Sequence, residues 1–512
     1  MPTTRALQTS APVEPQLYGE DDKHSIHHVD KDLDNDGVDR HLAVRVPEIL
    51  LNLSPEELAA ADRSATRKLD MLLMPTLILL YLLNYLDRQN ISSAKIAGIA
   101  TDLGLTADQY STSVAILFAG YVSLQIPSNI IASKIKYPAT YICLMCAVWG
   151  LISGCTAAVQ NYPGLTVCRC FLGFAEAAFY PGAIFLLSTF YEKKKIGMRS
   201  AALYLGSQSG NAFGGLFALG VIQLDGRLGI PGWRWLYIVE GSITVFLAII
   251  IACIIPNKPE TMRWLTDVER AQLVHRLQID RATVDATDET TIRQAFVLAV
   301  TDPKTWLLCG VEQMICIAAS VTNFFPIVVK GLGFNTTITL VISAPPYLLC
   351  CVFMIINGWH SDKKQERTLH IIIPFCVTII GNVIALSTTN VAARYFAMCI
   401  LPPSFYGAFV IVISWISSSM TGPHIKRAIV FALINCLCNT PNIWTSYLYG
   451  NNGPRYIAAF SVDLAAAVGC VLFAAGTHLY LRRQNAKLDR GESLGQSGPT
   501  QIQIEGGFRY QL

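Results

Sequence analysis

Charge is what this sequence has least of: Asp, Glu, Lys and Arg make up 15% of its 512 residues, against 52% hydrophobic. A soluble chain of this length carries about a quarter charged residues. The shortage argues against an ordinary soluble enzyme, and a formal net charge of +3 is too small to hold a nucleic acid. No cysteine framework of a secreted, stapled domain is present either. The 15 cysteines lie within or beside apolar runs, among them Cys143, Cys146, Cys350, Cys351, Cys436 and Cys438. Cys143 and Cys146 have C-x-x-C spacing inside such a run and read as packing residues. The histidines are scattered (His275, His360, His370, His424, His478), and no pair has metal-ligand spacing on a shared face. No nucleophile motif or phosphate loop occurs. The reading is therefore of a chain without enzymatic activity, metal or cofactor. A cleavable signal peptide is also missing, so the first apolar segment is expected to act as an internal anchor.

What is there is a series of apolar runs. From Lys68 onward, stretches of about 20 residues alternate with short polar ones, the spacing that a hydrocarbon core demands. The expected spans are 69–90, 110–132, 139–159, 163–190, 200–222 and 234–255, then 305–328, 338–358, 369–388, 394–418, 426–448 and 456–481. The fold class is an all-α polytopic membrane protein of twelve transmembrane helices in two six-helix halves. Residues 1–67 read as a disordered cytosolic tail, 68–255 as the N-terminal half and 256–304 as a cytosolic linker. Residues 305–482 form the C-terminal half and 483–512 a cytosolic tail. In the linker, the stretch 266–277 has a Thr N-cap and Leu273, Val274 and Leu277 at helical spacing, the mark of a short amphipathic helix. In the N-terminal tail, Asp32, Asp34, Asp36 and Gly37 resemble the start of a calcium loop. The twelfth position, where a bidentate Glu belongs, is Ala43, so calcium binding is not expected.

Lys and Arg follow alternate helices: Lys134 and Lys136, Lys193 to Lys195 and Arg199, Lys363, Lys364 and Arg367, Lys426 and Arg427, Arg482, Arg483 and Lys487. The positive-inside rule then puts both termini in the cytosol, as an even number of helices requires.

Polar residues inside such helices are costly and so point to function. They fall here on helical stripes: Tyr81, Asn84, Tyr85, Asp87 and Arg88 on the first helix, Tyr121, Gln125 and Ser128 on the second, Arg169, Glu176 and Tyr180 on the fourth. The fifth carries Tyr204, Gln208 and Asn211, and the eleventh Asn435, Asn439 and Asn442. Stripes on several helices imply a wet central cavity. Arg88 is a fixed cation able to grip a carboxylate with two prongs. Asp87 and Glu176 are buried carboxylates able to carry a proton, with Arg169 read as the partner of Glu176. Glu240, Arg234 and Glu312 are read as fastening residues, and Asp463 has no evident partner.

These segments resemble the major facilitator superfamily, and within it the anion:cation symporter group of fungal allantoate and nicotinate permease-like proteins. The resemblance rests on LNYLDRQNISSAKIAG (83–98), YVSLQIPSN (121–129), RCFLGFAEAAFYPG (169–182), GWRWLYIVEG (232–241), PETMRWLTDVERAQLVHRL (259–277) and GPRYI (453–457). Gly358, Asp362, Lys363 and Arg367 are similar to the superfamily's loop signature after the eighth helix. The resemblance implies alternating access and proton-coupled uptake of a small organic anion by a monomer in the lipid bilayer, with the plasma membrane expected. It implies proton coupling at Asp87, Glu176 and Arg169, and substrate contact at Arg88, Tyr85, Tyr121, Gln208 and Asn439. The chain departs from the group's pattern at Ser417 to Ser419 and at Cys438 and Pro441, on the C-terminal side of the cavity. The alternative weighed against symport is a proton-antiport exporter, since Gly206, Gly210, Gly214 and Gly215 resemble the glycine-rich antiporter motif. That motif's proline is replaced by Asn211.

Overall fold

Ser54 sets where the first long helix begins. Its hydroxyl accepts the Glu57 N–H while the Glu57 carboxylate accepts the Ser54 N–H, and Pro55 follows at a position where its missing N–H costs nothing. The resulting helix α1, Pro55–Ile96, runs for 42 residues, so this helix starts a dozen residues before the tail was expected to end. At ~1.5 Å per residue it is about twice the hydrocarbon thickness. Its first turns therefore stand clear of the membrane. The computed structural model describes residues 46–285, 291–422, 424–450, 453–492, 494–499, 503–504 and 507–512. The calcium-loop-like string at 32–37 lies outside these.

Five further helices complete the first half: α2 (Ala107–Lys134), α3 (Pro138–Thr156), α4 (Tyr162–Phe190), α5 (Lys193–Ile222) and α6 (Gly232–Ile254). The second half has α7 (Pro303–Lys330), α8 (Thr336–Lys364), α9 (Leu369–Ser387), α10 (Val391–Ser419), α11 (Ile425–Tyr449) and α12 (Ile457–Asp489). Among the described residues no strand occurs. Eleven of these helices are long and apolar enough to cross a membrane. The exception, α5, is equally long but carries Ser207, Gln208, Ser209 and Asn211 in its middle. Within the first half α1 packs on α5, α3 on α6 and α2 on α4, and within the second α7 packs on α12 and α10 on both α8 and α9. The α1–α5 contact explains two of the α5 glycines. A Cβ on Gly206 would lie 2.8 Å from the Ile78 carbonyl oxygen, and one on Gly210 would lie 2.7 Å from that of Leu82. Close backbone approach is the use of small residues in membrane helices.

The start of α1 and the C-terminal residues lie at one end of the bundle, together with the linker between the halves. That linker holds two helices where one was expected. Asp267–Asp285 is fastened to the first half: Glu269 accepts from Lys68 at 2.7 Å and from Ser64, and Arg276 pairs with Asp62 and Glu192. Ile292–Thr301 packs on α11. Burial alone would raise the Glu269 pKa, but its bonds to Lys68, Ser64 and the Thr266 N–H outweigh that and hold it at about 2. The C-terminal residues also differ from a free tail. The Trp415 indole N–H donates to the Gln511 carbonyl at 2.9 Å, and Lys304, 3% exposed, donates to the Tyr510 hydroxyl at 3.1 Å. A buried ammonium needs acceptors, and the returning chain supplies them.

The opposite, far end is where the halves meet. There the α7 helix breaks into a 3₁₀ turn, Ser320–Phe324, before resuming at Phe325. The break frees two carbonyls: Gln89 of α1 donates to Thr322 at 3.0 Å and Ser92 to Asn323 at 2.5 Å. Thr112 of α2 and Tyr447 of α11 bring their hydroxyls to 3.1 Å. The hydrogen bonds joining helices of the two halves at 3.5 Å or less are all of this kind among the described residues. Nearer the middle, the Tyr204 ring of α5 meets Phe409 of α10 at 5.1 Å.

Candidate functional site

The polar stripes converge inside the first half. Arg88 projects from α1 and donates through Nε to Glu176 of α4 at 2.6 Å. Three aromatic rings surround its guanidinium: Tyr121 at 4.7 Å, Tyr85 at 5.3 Å and Phe118 at 5.9 Å from ring centroid to Cζ. Cations are attracted to such faces. The Arg88 side chain keeps 13% exposure while that of Glu176 has none. The ion pair thus has one reachable member and one sealed one. Asp87, also fully buried, points the other way around α1 and accepts from Ser153 of α3 at 2.5 Å.

Arg169 does not partner Glu176, contrary to the reading from sequence. Its guanidinium donates to the Tyr237 hydroxyl of α6 at 3.1 Å. Seven residues along a helix put two side chains on one face but ~10.5 Å apart in rise, too far for a direct bond. The true partner of Glu176 comes from another helix, which no single-helix pattern reveals. Glu240 of α6 likewise was given no partner, and it accepts from Asn90 of α1. Asn90 lies one turn beyond Asp87, so the carboxylates of Asp87 and Glu240 share one face of α1.

Gln208 and Asn439 take different positions. Gln208 is fully buried in a chain of amides: it donates to Ser207 at 3.1 Å and accepts from Asn211, which in turn accepts from Gln89 at 3.1 Å. That chain leads to the far-end contact rather than to Arg88. Asn439, half-buried on α11, donates back to Asn435 at 3.0 Å. Tyr85 and Tyr121 stand with Arg88, as expected. Beside them Tyr81, Phe179, Tyr180 and Tyr204 form one aromatic cluster, Tyr81 stacking on Tyr180 at 5.8 Å and Tyr180 meeting Tyr204 at 5.4 Å. Gln125, one turn from Tyr121, is 4% exposed with neither amide atom hydrogen-bonded among the described residues. Buried amides are rarely left so. Glu312 faces the centre from α7, near enough to act electrostatically on Tyr180, and forms no ion pair among the described residues. Its reading as a fastening residue finds no partner to fasten.

The profile of the Major Facilitator Superfamily matches residues 77–444, from the middle of α1 to the end of α11. The chain belongs to that superfamily. Among curated relatives, the "MFS-type transporter cnsO" of Penicillium expansum is 31% identical over 86% of this chain and 87% of its own. The "Uncharacterized transporter C1683.12" of Schizosaccharomyces pombe is 32% identical over 83% and 87%. The "Major facilitator-type transporter hxnP" of Emericella nidulans is 27% identical over 84% and 88%. Of solved structures, a bacterial homologue of the human lysosomal transporter Spinster, inward-facing and unoccupied, superposes with a TM-score of 0.62 at 15% identity, over 80% of this chain and 96% of that one. The xylose transporter XylE of E. coli in a partially occluded, inward-open form gives 0.58 at 14%, over 77% and 96%. At these identities the likeness is one of fold. This major facilitator protein is thus a multi-pass membrane transporter for a small-molecule substrate.

Two of the scattered histidines meet in space although they share no helix face. His360 and His370, at the ends of α8 and α9, meet at 2.7 Å between Nδ1 and Nε2, and Glu366 lies 2.7 Å from the other His370 nitrogen. A tight turn between antiparallel helices brings them together, which periodicity within either helix cannot show. Among the described residues no group of three or more side chains is placed to hold a metal ion.

Proposed function

We propose that this transporter is a proton-coupled symporter of a small organic anion, a monocarboxylate of the vitamin or allantoate-like class. On this reading it is a member of the anion:cation symporter group, acting as a monomer in the plasma membrane with both termini cytosolic. The observation that carries the reading is the Arg88–Glu176 pair at 2.6 Å, half reachable and half sealed. While Glu176 is ionised it neutralises Arg88 and occupies its Nε. A proton on Glu176 removes the charge that holds the guanidinium and leaves Arg88 free to grip a carboxylate. Proton and anion then bind together and leave together. Asp87, within the same half and held by a neutral hydroxyl, serves as a second proton carrier, and Arg169 with Tyr237 keeps α4 against α6. The aromatic lining selects a flat or ring-bearing acid over a sugar-like one.

The export reading rested on the glycines of α5. Gly206 and Gly210 are accounted for by the close passage of α1, which supports packing as their role.

The test uses purified protein in vesicles that enclose a pH-sensitive dye, with organic acids supplied one at a time. A transported acid should give saturable acidification that parallels its own uptake. Acidification running against the solute, or absent while the solute moves, would overturn symport.

A further inference from the structure

Asp463 stood without a partner in the sequence, and the structure supplies two. It lies on α12 near the far end, with no solvent exposure, and its oxygens accept from Ser320 at 3.2 Å and from the Tyr449 hydroxyl at 2.7 Å. Each partner begins or ends an element that touches the other half. Ser320 opens the 3₁₀ turn of α7, whose Thr322 and Asn323 carbonyls receive Gln89 and Ser92 of α1. Tyr449 closes the 3₁₀ turn Ser446–Tyr449 of α11, whose Tyr447 meets Thr112 of α2. The two turns are also joined to one another. Phe324 stacks on Tyr449 at 4.8 Å with planes 10° apart, and Asn323 donates to Asn442 at 2.8 Å. Phe324 in turn lies edge-on to Tyr110 of α2 at 6.3 Å.

We infer that Asp463 is the positioning residue of the far-end gate: from α12 it holds the two 3₁₀ turns in the one arrangement that lets both meet the first half. Transport by alternating access requires the far end to part, so those turns must move. A carboxylate with one oxygen on each turn ties their movements together, because neither can shift without leaving a buried oxygen unpaired. Asp463 touches neither Arg88 nor Glu176 and takes no part in binding. The inference rests on the transporter fold and on alternating access, and not on the identity of the substrate or on proton coupling.

The test is a cross-link at the gate. In a cysteine-depleted background, Ser111→Cys on α2 with Gly450→Cys at the end of the α11 turn suits a disulfide, since a Cβ at position 450 lies 2.9 Å from the Ser111 Oγ and bridged cysteines have Cβ atoms ~3.8 Å apart. The disulfide yield after mild oxidation reads how much of the protein has its far end closed, with no substrate or proton gradient needed. Asp463→Ala should lower that yield several-fold, and Asp463→Asn, which keeps one acceptor, should restore part of it. Tyr449→Phe, which removes one of the two bonds, should lower it too and serves where the alanine variant does not fold. Ala467→Gly, one turn along the same buried face of α12, is the packing control. An unchanged yield in both Asp463→Ala and Tyr449→Phe overturns the inference, as does an equal fall in the control. Absence of acid-driven proton entry in the protein without the introduced cysteines, with the cross-link yields as expected, would instead strike the proposed symport and leave the gate untouched.

Discussion

At the scale of residues, the site reduces to who neutralises Arg88. Glu176 does so now, and a substrate carboxylate is proposed to do so in its turn. Replacing Glu176 by Gln keeps the shape and removes the titration. The expected result is preserved exchange of labelled substrate across the membrane with loss of pH-driven accumulation. Accumulation against a gradient in this variant would falsify the coupling assignment. Arg88→Lys keeps a charge but loses the planar fork, and apparent affinity should fall by about 10–100-fold, the equivalent of one charged hydrogen bond. Glu240 tests a subtler point. The interior of this half holds the buried Asp87, Glu176, Glu240 and Arg169 together with the partly exposed Arg88, three acids to two bases. If Glu240 only fastens α6 to Asn90, Glu240→Gln should leave accumulation at its wild-type level in the same assay, since the amide oxygen still accepts the bond. The polar stripes exposed which residues matter because a charged group in a membrane helix has to be explained. They could not expose pairings. Periodicity places Arg169 and Glu176 on one face, but the neighbour opposite that face depends on how α1, α4 and α6 are arranged, and this is a property of the bundle.

At the scale of elements, the spans were legible because bilayer thickness imposes one length on each of them. The parts that escaped obey no such rule: the start of α1 depends on a capping box in polar sequence, and the linker's second helix on the face of α11. The broken turn of α7 frees carbonyls that α1 uses, and that of α11 carries a tyrosine hydroxyl to α2. Two tests belong here. A leucine at Gly210 would drive its Cβ to 2.8 Å from that of Tyr85 as well as onto the Leu82 carbonyl. Overpacking of this kind costs about 1–3 kcal/mol, and since it also pushes on the residue beside Arg88, both thermal stability and substrate affinity should drop. The linker clamp is pH-dependent in a stated direction. Glu269 titrates near 2 when folded against 4.5 unperturbed. Its stabilisation is therefore full above pH 4.5 and is lost as pH falls from there through 2. Lys68 is partly solvated, so the clamp contributes on the order of 1 kcal/mol. The melting-temperature deficit of Glu269→Gln should be constant from neutral pH down to about 4.5 and shrink below it.

At the scale of the whole molecule, the asymmetry between the two ends decides how Arg88 is reached. The inter-half hydrogen bonds cluster at the far end, through Gln89, Ser92, Thr112 and their partners. The end that carries the linker is tied within each half, by the linker on the first and by the returning C-terminal residues on the second. The path to Arg88 therefore runs from the linker end, which the proposed topology places in the cytosol. A cysteine introduced at Thr66 on α1, well outside the gate, should then react with a bulky water-soluble thiol reagent supplied from the cytosolic side of oriented vesicles. One at Asn323 should stay silent from either side. A saturating transported acid on the outer side should favour the state open to that side, so that Asn323→Cys becomes reactive from outside while the wild-type pattern at Thr66 persists. Reactivity at Asn323 before any acid is added would mean that the far end is the open one, and the direction in which Arg88 is reached would have to be reversed.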